Sequence, residues 1–161
     1  MNFSVKLLVL GKIKEEFYRK KLEEYYSQIN KKVHFQVVEL TDESIPSNPS
    51  QTVIDKIKAV EGDKLLEHIN GNDYVIALCI EGKSTDLTLM KKQLDKAKTK
   101  QCDNVIFIIG GSLGLDKRVV DRADYKLSFS NMTFPHQLMR VILLEQIYRA
   151  YRIMNNEPYH K

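Results

Sequence analysis

Residues 105–115 read VIFIIGGSLGL, from Val105 to Leu115. The first five are β-branched or aromatic at every position, which is the length and composition of a strand buried on both faces. Gly110, Gly111 and Gly114 then permit a tight turn and a close approach of backbone to a ligand. A strand without a polar face needs helices on both sides of its sheet. That predicts an α/β domain with parallel strands.

The flanking sequence alternates to match. Tyr74–Ile80 (YVIALCI) is another strand apolar on both faces, Phe3–Leu10 and Val33–Leu40 are two more, and Tyr125–Phe129 is a fifth. Between them the apolar spacing turns helical. Tyr18, Leu22, Tyr25 and Ile29 mark one helix; Val53, Ile57 and Val60 mark a second that ends near Asn70-Gly71. Leu87, Met90, Leu94 and Ala97 mark a third, with Ser84, Thr85 and Asp86 offering its N-cap. A short helix covers Asp116–Arg122, and a long one runs from Pro135, in its first turn, to about Met154. Thr41–Gln51, with Pro46 and Pro49, is the long loop. The expected fold class is therefore α/β: a mostly parallel sheet of about five or more strands with helices on both faces. Ligands of such sheets sit beyond the carboxyl ends of strands, here Gly11-Lys12, Glu81-Gly82-Lys83, Gly110–Leu115 and Ser130–His136.

A chain of 161 residues is the size of one domain, expected to span 1–161. With 43% hydrophobic and 29% charged residues it is neither a disordered chain nor a disulfide scaffold. No apolar run approaches the roughly 18–20 residues of a membrane span. The opening MNFSVKLLVLGK has no basic region before its apolar stretch and no small-residue cleavage site after it, so it reads as a strand rather than a signal peptide. Cys79 and Cys102 lack CxxC spacing, which fits a reduced, cytoplasmic compartment.

The net charge is +4, but it is unevenly spread. Residues 39–73 hold eight acids against three lysines, while residues 1–32 hold eight basic side chains against four glutamates. Residues 83–100 hold six lysines against two aspartates. Such polarity either steers an anionic partner or simply solvates helix faces.

The glycine run is not a dinucleotide fingerprint, because Ile109 stands where its first glycine belongs and the run follows the fourth strand. Nor is it a P-loop, since no GK[ST] follows. It either lines a ligand or makes a plain strand-to-helix turn. Phe129–Gln137 (FSNMTFPHQ) joins a strand end, hydroxyls and a Pro-His helix start, a stretch able to present backbone donors and acceptors to a small molecule. Met132 and Phe134 taken singly suit a core, and His136 taken singly suits packing at a helix start. Four histidines show no metal-ligand spacing, so no metal site is expected. Ser112 lies in GGSLG rather than GxSxG. Glu81 either orients a substrate or pairs with a lysine.

Read together, strand–GGSLGL, then LSFSNMTFPHQLMRVILLEQIYRAYRI (Leu127–Ile153) and the terminal NEPYHK (Asn156–Lys161) resemble the SPOUT-class methyltransferases. The match is to the family that N3-methylates a pseudouridine of large-subunit ribosomal RNA, and it runs from VLGKIKE (Val9–Glu15) to the end. The resemblance implies a C-terminal deep trefoil knot, an exception to the avoidance of threaded loops. It implies a pocket for S-adenosylmethionine lined by Leu78, Gly110, Phe129, Ser130, Asn131, Met132, Thr133 and Phe134. Relatives often carry Lys or another residue at the position of Asn131, which is expected to be tolerated because its backbone rather than its side chain should matter. Arg149, Tyr159 and His160 are the catalytic residues carried over, with the base among them unassigned. A homodimer built on the last helix through Leu138, Ile142 and Tyr148 is also implied, against the alternative that this face only covers its own sheet. Two other functions stay open: a SPOUT methyltransferase acting on another RNA position, and a knotted RNA- or ribosome-binding module without catalysis.

Overall fold

A computed structural model of the chain describes residues 4–84, 86–129 and 135–157, without the side chains of Ile80, Glu81 and Lys83. Among the described residues five strands alternate with five helices: β1 (Ser4–Leu10), α1 (Glu16–Asn30), β2 (His34–Leu40), α2 (Gln51–Leu66), β3 (Tyr74–Ser84), α3 (Leu87–Thr99), β4 (Asn104–Ile109), α4 (Lys117–Arg122), β5 (Tyr125–Ser128) and α5 (His136–Met154). The strands form one sheet in the order β2-β1-β4-β3-β5, and every pairing is parallel. β1 lies between β2 and β4 in unbroken register, Ser4 opposite His34 and Asn104, Val9 opposite Glu39 and Ile109.

The alternation of side chains along β1 explains the three layers. Val5, Leu7 and Val9 join Ile29 of α1, Leu94 of α3 and Leu143 and Ile147 of α5 in one core. Leu8 and Leu10 point the other way and join Leu65 of α2 and Val119 of α4 in a second. A strand covered on both sides has no position for a polar residue, which is why β4 is VIFII from Val105 onward.

Three boundaries differ from the sequence expectation. α2 stops at Leu66, not near Asn70-Gly71, because the backbone tightens into turns in which His68 and Ile69 donate to Leu65 and Leu66. Its buried side is Ile57, Glu61, Gly62 and Leu65, and Val60 faces outward. β3 runs on to Ser84, past its apolar stretch, because Lys83 and Ser84 return to pair with β5. Pro135 is the N-cap of α5 rather than part of its first turn. The cap of α3 is Asp86, whose side chain accepts the Leu89 N–H at 2.8 Å.

α5 lies along the sheet against the strand direction. Near its start, Arg140 donates to the carbonyls of Leu10 and Gly11 at the carboxyl end of β1. Beyond its other end, Glu157 accepts from Lys32, just before β2, at 2.6 Å. α5 thus links the two edges of the sheet.

Candidate functional site

The carboxyl ends of β4, β3 and β5 are neighbours, and they bring Gly110, Leu78 and Phe129 to one edge. Leu78 pairs with Leu127, and β3 then shifts register so that Lys83 also faces Leu127 and Ser84 faces Ser128. The strand loops out between Leu78 and Lys83 and lies back over β5. Gly82 makes this possible: a Cβ there would lie 2.8 Å from the Lys126 carbonyl carbon and 2.9 Å from Leu127 backbone. Leu78 and Phe129 are half-buried and pack on the core that contains Leu127.

The turn after β4 is closed by the Gly114 N–H donating to the Gly111 carbonyl at 3.0 Å. Gly114 has φ of 87°, a left-handed conformation that favours glycine. Leu115 folds back so that a Cβ at Gly110 would lie 2.9 Å from its Cδ2 and 3.1 Å from the Gly114 carbonyl carbon. The space beside the Gly110 backbone is therefore filled from within the turn by Leu115 and Gly114, and Gly110 itself presents only main chain.

Two charged groups that sequence reasoning missed support this edge. Arg140 is almost fully buried; besides the two carbonyls it pairs with Glu39 at 2.9 Å, while burial pulls its pKa below the ordinary value and Glu39 opposes that. Next to it His136 is held below its ordinary pKa, first by desolvation and then by Arg140, so its imidazole is neutral at neutral pH. Glu61 of α2 is also buried. Its Oε2 accepts the Glu43 N–H at 3.0 Å, and its carboxylate lies against Gly111. A helical pattern of apolar residues gives no signal for either group; the signal that could have found Arg140 is its place one turn into the helix that follows the candidate loop.

The other expected residues are not gathered here. Arg149 pairs with Glu145 of its own helix at 2.7 Å, and its position in α5 is about 20 Å along the axis from His136. Ser130, Asn131, Met132, Thr133 and Phe134, with Tyr159 and His160, lie outside the described residues, as does the side chain of Glu81. A groove of about 1000 Å³ opens at the opposite, amino-terminal edge, bordered by Lys32, His34, Lys91, Lys98 and Tyr151. It is remote from the strand ends that sequence reasoning pointed to. Among the described residues no helix is long and apolar enough to cross a membrane.

The model of a family described as "Predicted SPOUT methyltransferase" matches residues 3–160. A protein of Clostridioides difficile (strain 630) named "Ribosomal RNA large subunit methyltransferase H" is 49% identical over 161 residues, covering 100% of both chains. A protein of the same name from Clostridium novyi (strain NT) is 47% identical over 98% of this chain and 99% of its own. Another, from Clostridium botulinum (strain Langeland / NCTC 10281 / Type F), is 46% identical over 100% of both.

Proposed function

The chain belongs to the SPOUT methyltransferase family, and on that premise we propose that it is an S-adenosylmethionine-dependent methyltransferase of large-subunit ribosomal RNA, acting at N3 of a pseudouridine. The observation that carries this reading is likeness over the whole length of both chains to large-subunit ribosomal RNA methyltransferases. The chain then acts as one domain, 1–161, in the cytoplasm where ribosomes are made, and its C-terminal half carries the family's trefoil knot. The close lay of Gly82 over the β5 backbone supports the knot.

The edge formed by Leu78, Gly110 and Phe129 fits the cofactor. A glycine turn whose inner side is filled by Leu115 offers main-chain donors and acceptors, and two half-buried apolar side chains offer a surface for a flat base. Leu78, Gly110, Phe129 and the run Ser130–Phe134 would hold it. When bound, S-adenosylmethionine supplies an electrophilic methyl group on a sulfonium centre. The protein's own work is orientation and proton management. Methylation at N3 requires the imide N3–H proton to leave, and negative charge that develops on the flanking carbonyl oxygens needs donors. Arg149, Tyr159 and His160 are the groups assigned to that work: a fixed cation, a phenol and an imidazole able to exchange a proton near neutrality.

This reading needs two copies of the chain. Glu157 sits at the amino-terminal edge beside Lys32. Pro158, Tyr159 and His160 add at most about 11 Å of chain beyond it, whereas Asn104 to Gly110 along β4 covers about 20 Å. That spacing sets Tyr159 and His160 closer to the amino-terminal edge than to the turn after the same chain's β4 and supports a homodimer in which they serve the partner's cofactor edge. α5 has the surface for it. Leu143, Leu144, Ile147 and Ala150 cover its own sheet, and Leu138 and Ile142 stay half-buried outside that core.

Methyl transfer from labelled cofactor to large subunits and to naked ribosomal RNA, followed by mapping of the modified position, tests the proposal. Label at a nucleotide other than pseudouridine would move the protein to another SPOUT specificity, and no transfer to any ribosomal RNA would remove the enzymatic reading.

A further inference from the structure

Three consecutive residues of α2 grip the glycine turn and the helix after it. A Cβ at Gly111 would lie 3.1 Å from Glu61 Oε1; a Cβ at Gly62 would lie 2.8 Å from Asp116, the N-cap of α4; and Asp63 pairs with Arg118 at 2.8 Å. Gly62 and Asp63 need no explanation beyond packing and a surface ion pair. Glu61 does, because a carboxylate that is 4% exposed is costly unless it is well partnered. Among the described residues its hydrogen-bonded neighbour is the Glu43 N–H, on Oε2. The other oxygen, Oε1, lies against the Gly111 backbone.

We propose that Glu61 is a positioning residue for the cofactor: its ionised carboxylate bridges the loop after β2 to the turn after β4 and fixes Gly110–Leu115 in the shape that receives S-adenosylmethionine. This deepens the reading above and rests on it. Gln at position 61 would fill the same space and accept the same N–H, so packing alone does not call for an acid. An anion gives the stronger acceptor for the Glu43 N–H and so holds the carboxylate that packs against Gly111 in place. The groups that face it are Asp42 and Glu43 from the loop after β2 and Lys64 one turn further along α2; Lys64 in turn pairs with Glu43 at 3.8 Å. Burial raises the pKa of Glu61 above the ordinary carboxylate value, with Asp42 and Glu43 adding to the rise and the Glu43 N–H and Lys64 opposing it. Protonation therefore begins at a higher pH than for an ordinary carboxylate, and with it the hold on the turn is released.

The test is calorimetric titration of S-adenosylmethionine into the full-length protein and into Glu61→Gln, from neutral to weakly acid pH, with steady-state kinetics on large subunits. In the wild type, affinity falls on acidification and approaches the level of the variant. Glu61→Gln binds about tenfold more weakly at neutral pH, the order of one charge-assisted hydrogen bond reduced to a neutral one, and its affinity does not change over the same pH range. The KM for cofactor rises while kcat is kept. A variant with wild-type affinity at neutral pH, or one that keeps the acid limb, overturns the proposal. Wild-type protein that binds no S-adenosylmethionine at any pH overturns instead the functional reading on which it rests.

Discussion

Arg140 Nη2 donates to the Gly11 carbonyl at 2.7 Å and so ties the first turns of α5 to the end of β1. The same guanidinium takes the Leu10 carbonyl at 3.0 Å and Glu39 at 2.9 Å. Arg140→Met keeps the volume but leaves two carbonyls without this donor and Glu39 without its cation. The expected loss is about 2–4 kcal/mol in denaturant unfolding, since hydrogen bonds to a buried charge are each worth about 1.5–3 kcal/mol and their loss leaves groups unpaired. A loss below about 0.5 kcal/mol, the scatter of ordinary surface substitutions, would show that solvent replaces the guanidinium freely.

Gly110→Val places a branched side chain where Leu115 and the Gly114 carbonyl carbon already sit, at 2.9 and 3.1 Å from the first added carbon. Leu115 can swing aside; the backbone of Gly114 cannot do so without opening the turn. Cofactor binding should be lost while the circular dichroism spectrum and dimer mass are kept. Unchanged affinity by calorimetry would remove Gly110 from the site, and a loss of helical signal would show that the turn is needed for folding rather than for the ligand.

Glu61 should cost the apo protein stability near neutrality. Its folded-state pKa is raised, so the native state binds its proton more readily than the unfolded chain does. The contribution to stability is fully present below the unfolded value and is lost as pH rises through the folded one. Compared by urea unfolding without cofactor, wild type and Glu61→Gln should diverge as pH rises from the carboxylate range toward neutrality, with the variant the more stable. Parallel pH profiles would show that the carboxylate is solvated after all.

These residues also show how far the sequence could be read. VIFII, YVIALCI and the helical spacing of Leu87, Met90, Leu94 and Ala97 carry the layers because burial imposes a period on apolar residues. The places of Gly110–Gly114 and Phe129 at strand ends were legible because glycines and the close of an apolar run mark themselves. Glu61 was not, because Val53, Ile57 and Val60 suggest a different buried stripe and an acid in a helix reads as solvent-facing. Arg140 was hidden for the same reason. What fixes both is the other side of the contact, backbone at Glu43 and at Gly11, and a contact between distant segments leaves no mark on local spacing. The length of β3 escaped likewise: Lys83 and Ser84 are strand residues only because Leu127 and Ser128 lie beside them.

Binding to ribosomal RNA should depend steeply on salt. Lys91, Lys92, Lys96, Lys98 and Lys100 lie on α3 or at its end, and α1 and α3 share the face of the sheet that α5 covers. Each phosphate neutralised releases condensed counterions, so affinity for RNA falls by about 0.7 to 0.9 log units per contact for each tenfold rise in salt. Replacing Lys92 and Lys96 by Glu should lower the slope and leave affinity for S-adenosylmethionine unchanged. A slope equal to the wild type's would move the RNA to another face.

The tail gives the hardest test. Residues that end a chain are usually dispensable, yet here an aromatic ring, an imidazole and an ammonium follow Pro158 in succession, Tyr159, His160 and Lys161. Together they suit a nucleotide drawn out of its stack, where a ring can stack, an imidazole can take a proton and an ammonium can meet phosphate. Glu157 holds the start of that tail at the edge of the sheet opposite Gly110 through Lys32 and Arg152. Deleting Tyr159–Lys161 should abolish methyl transfer and leave cofactor affinity and dimer mass almost unchanged, because neither depends on these side chains in the arrangement proposed. Mixing the deletion with Gly110→Val under conditions that exchange subunits then separates two architectures. If tail and cofactor edge come from different chains, a heterodimer pairs the intact tail of the Gly110→Val chain with the intact edge of the deletion chain, and one working site returns. If they come from the same chain, every site in the mixture lacks one element. No recovered activity, with heterodimer formation verified by native mass spectrometry, would sink the shared-site arrangement.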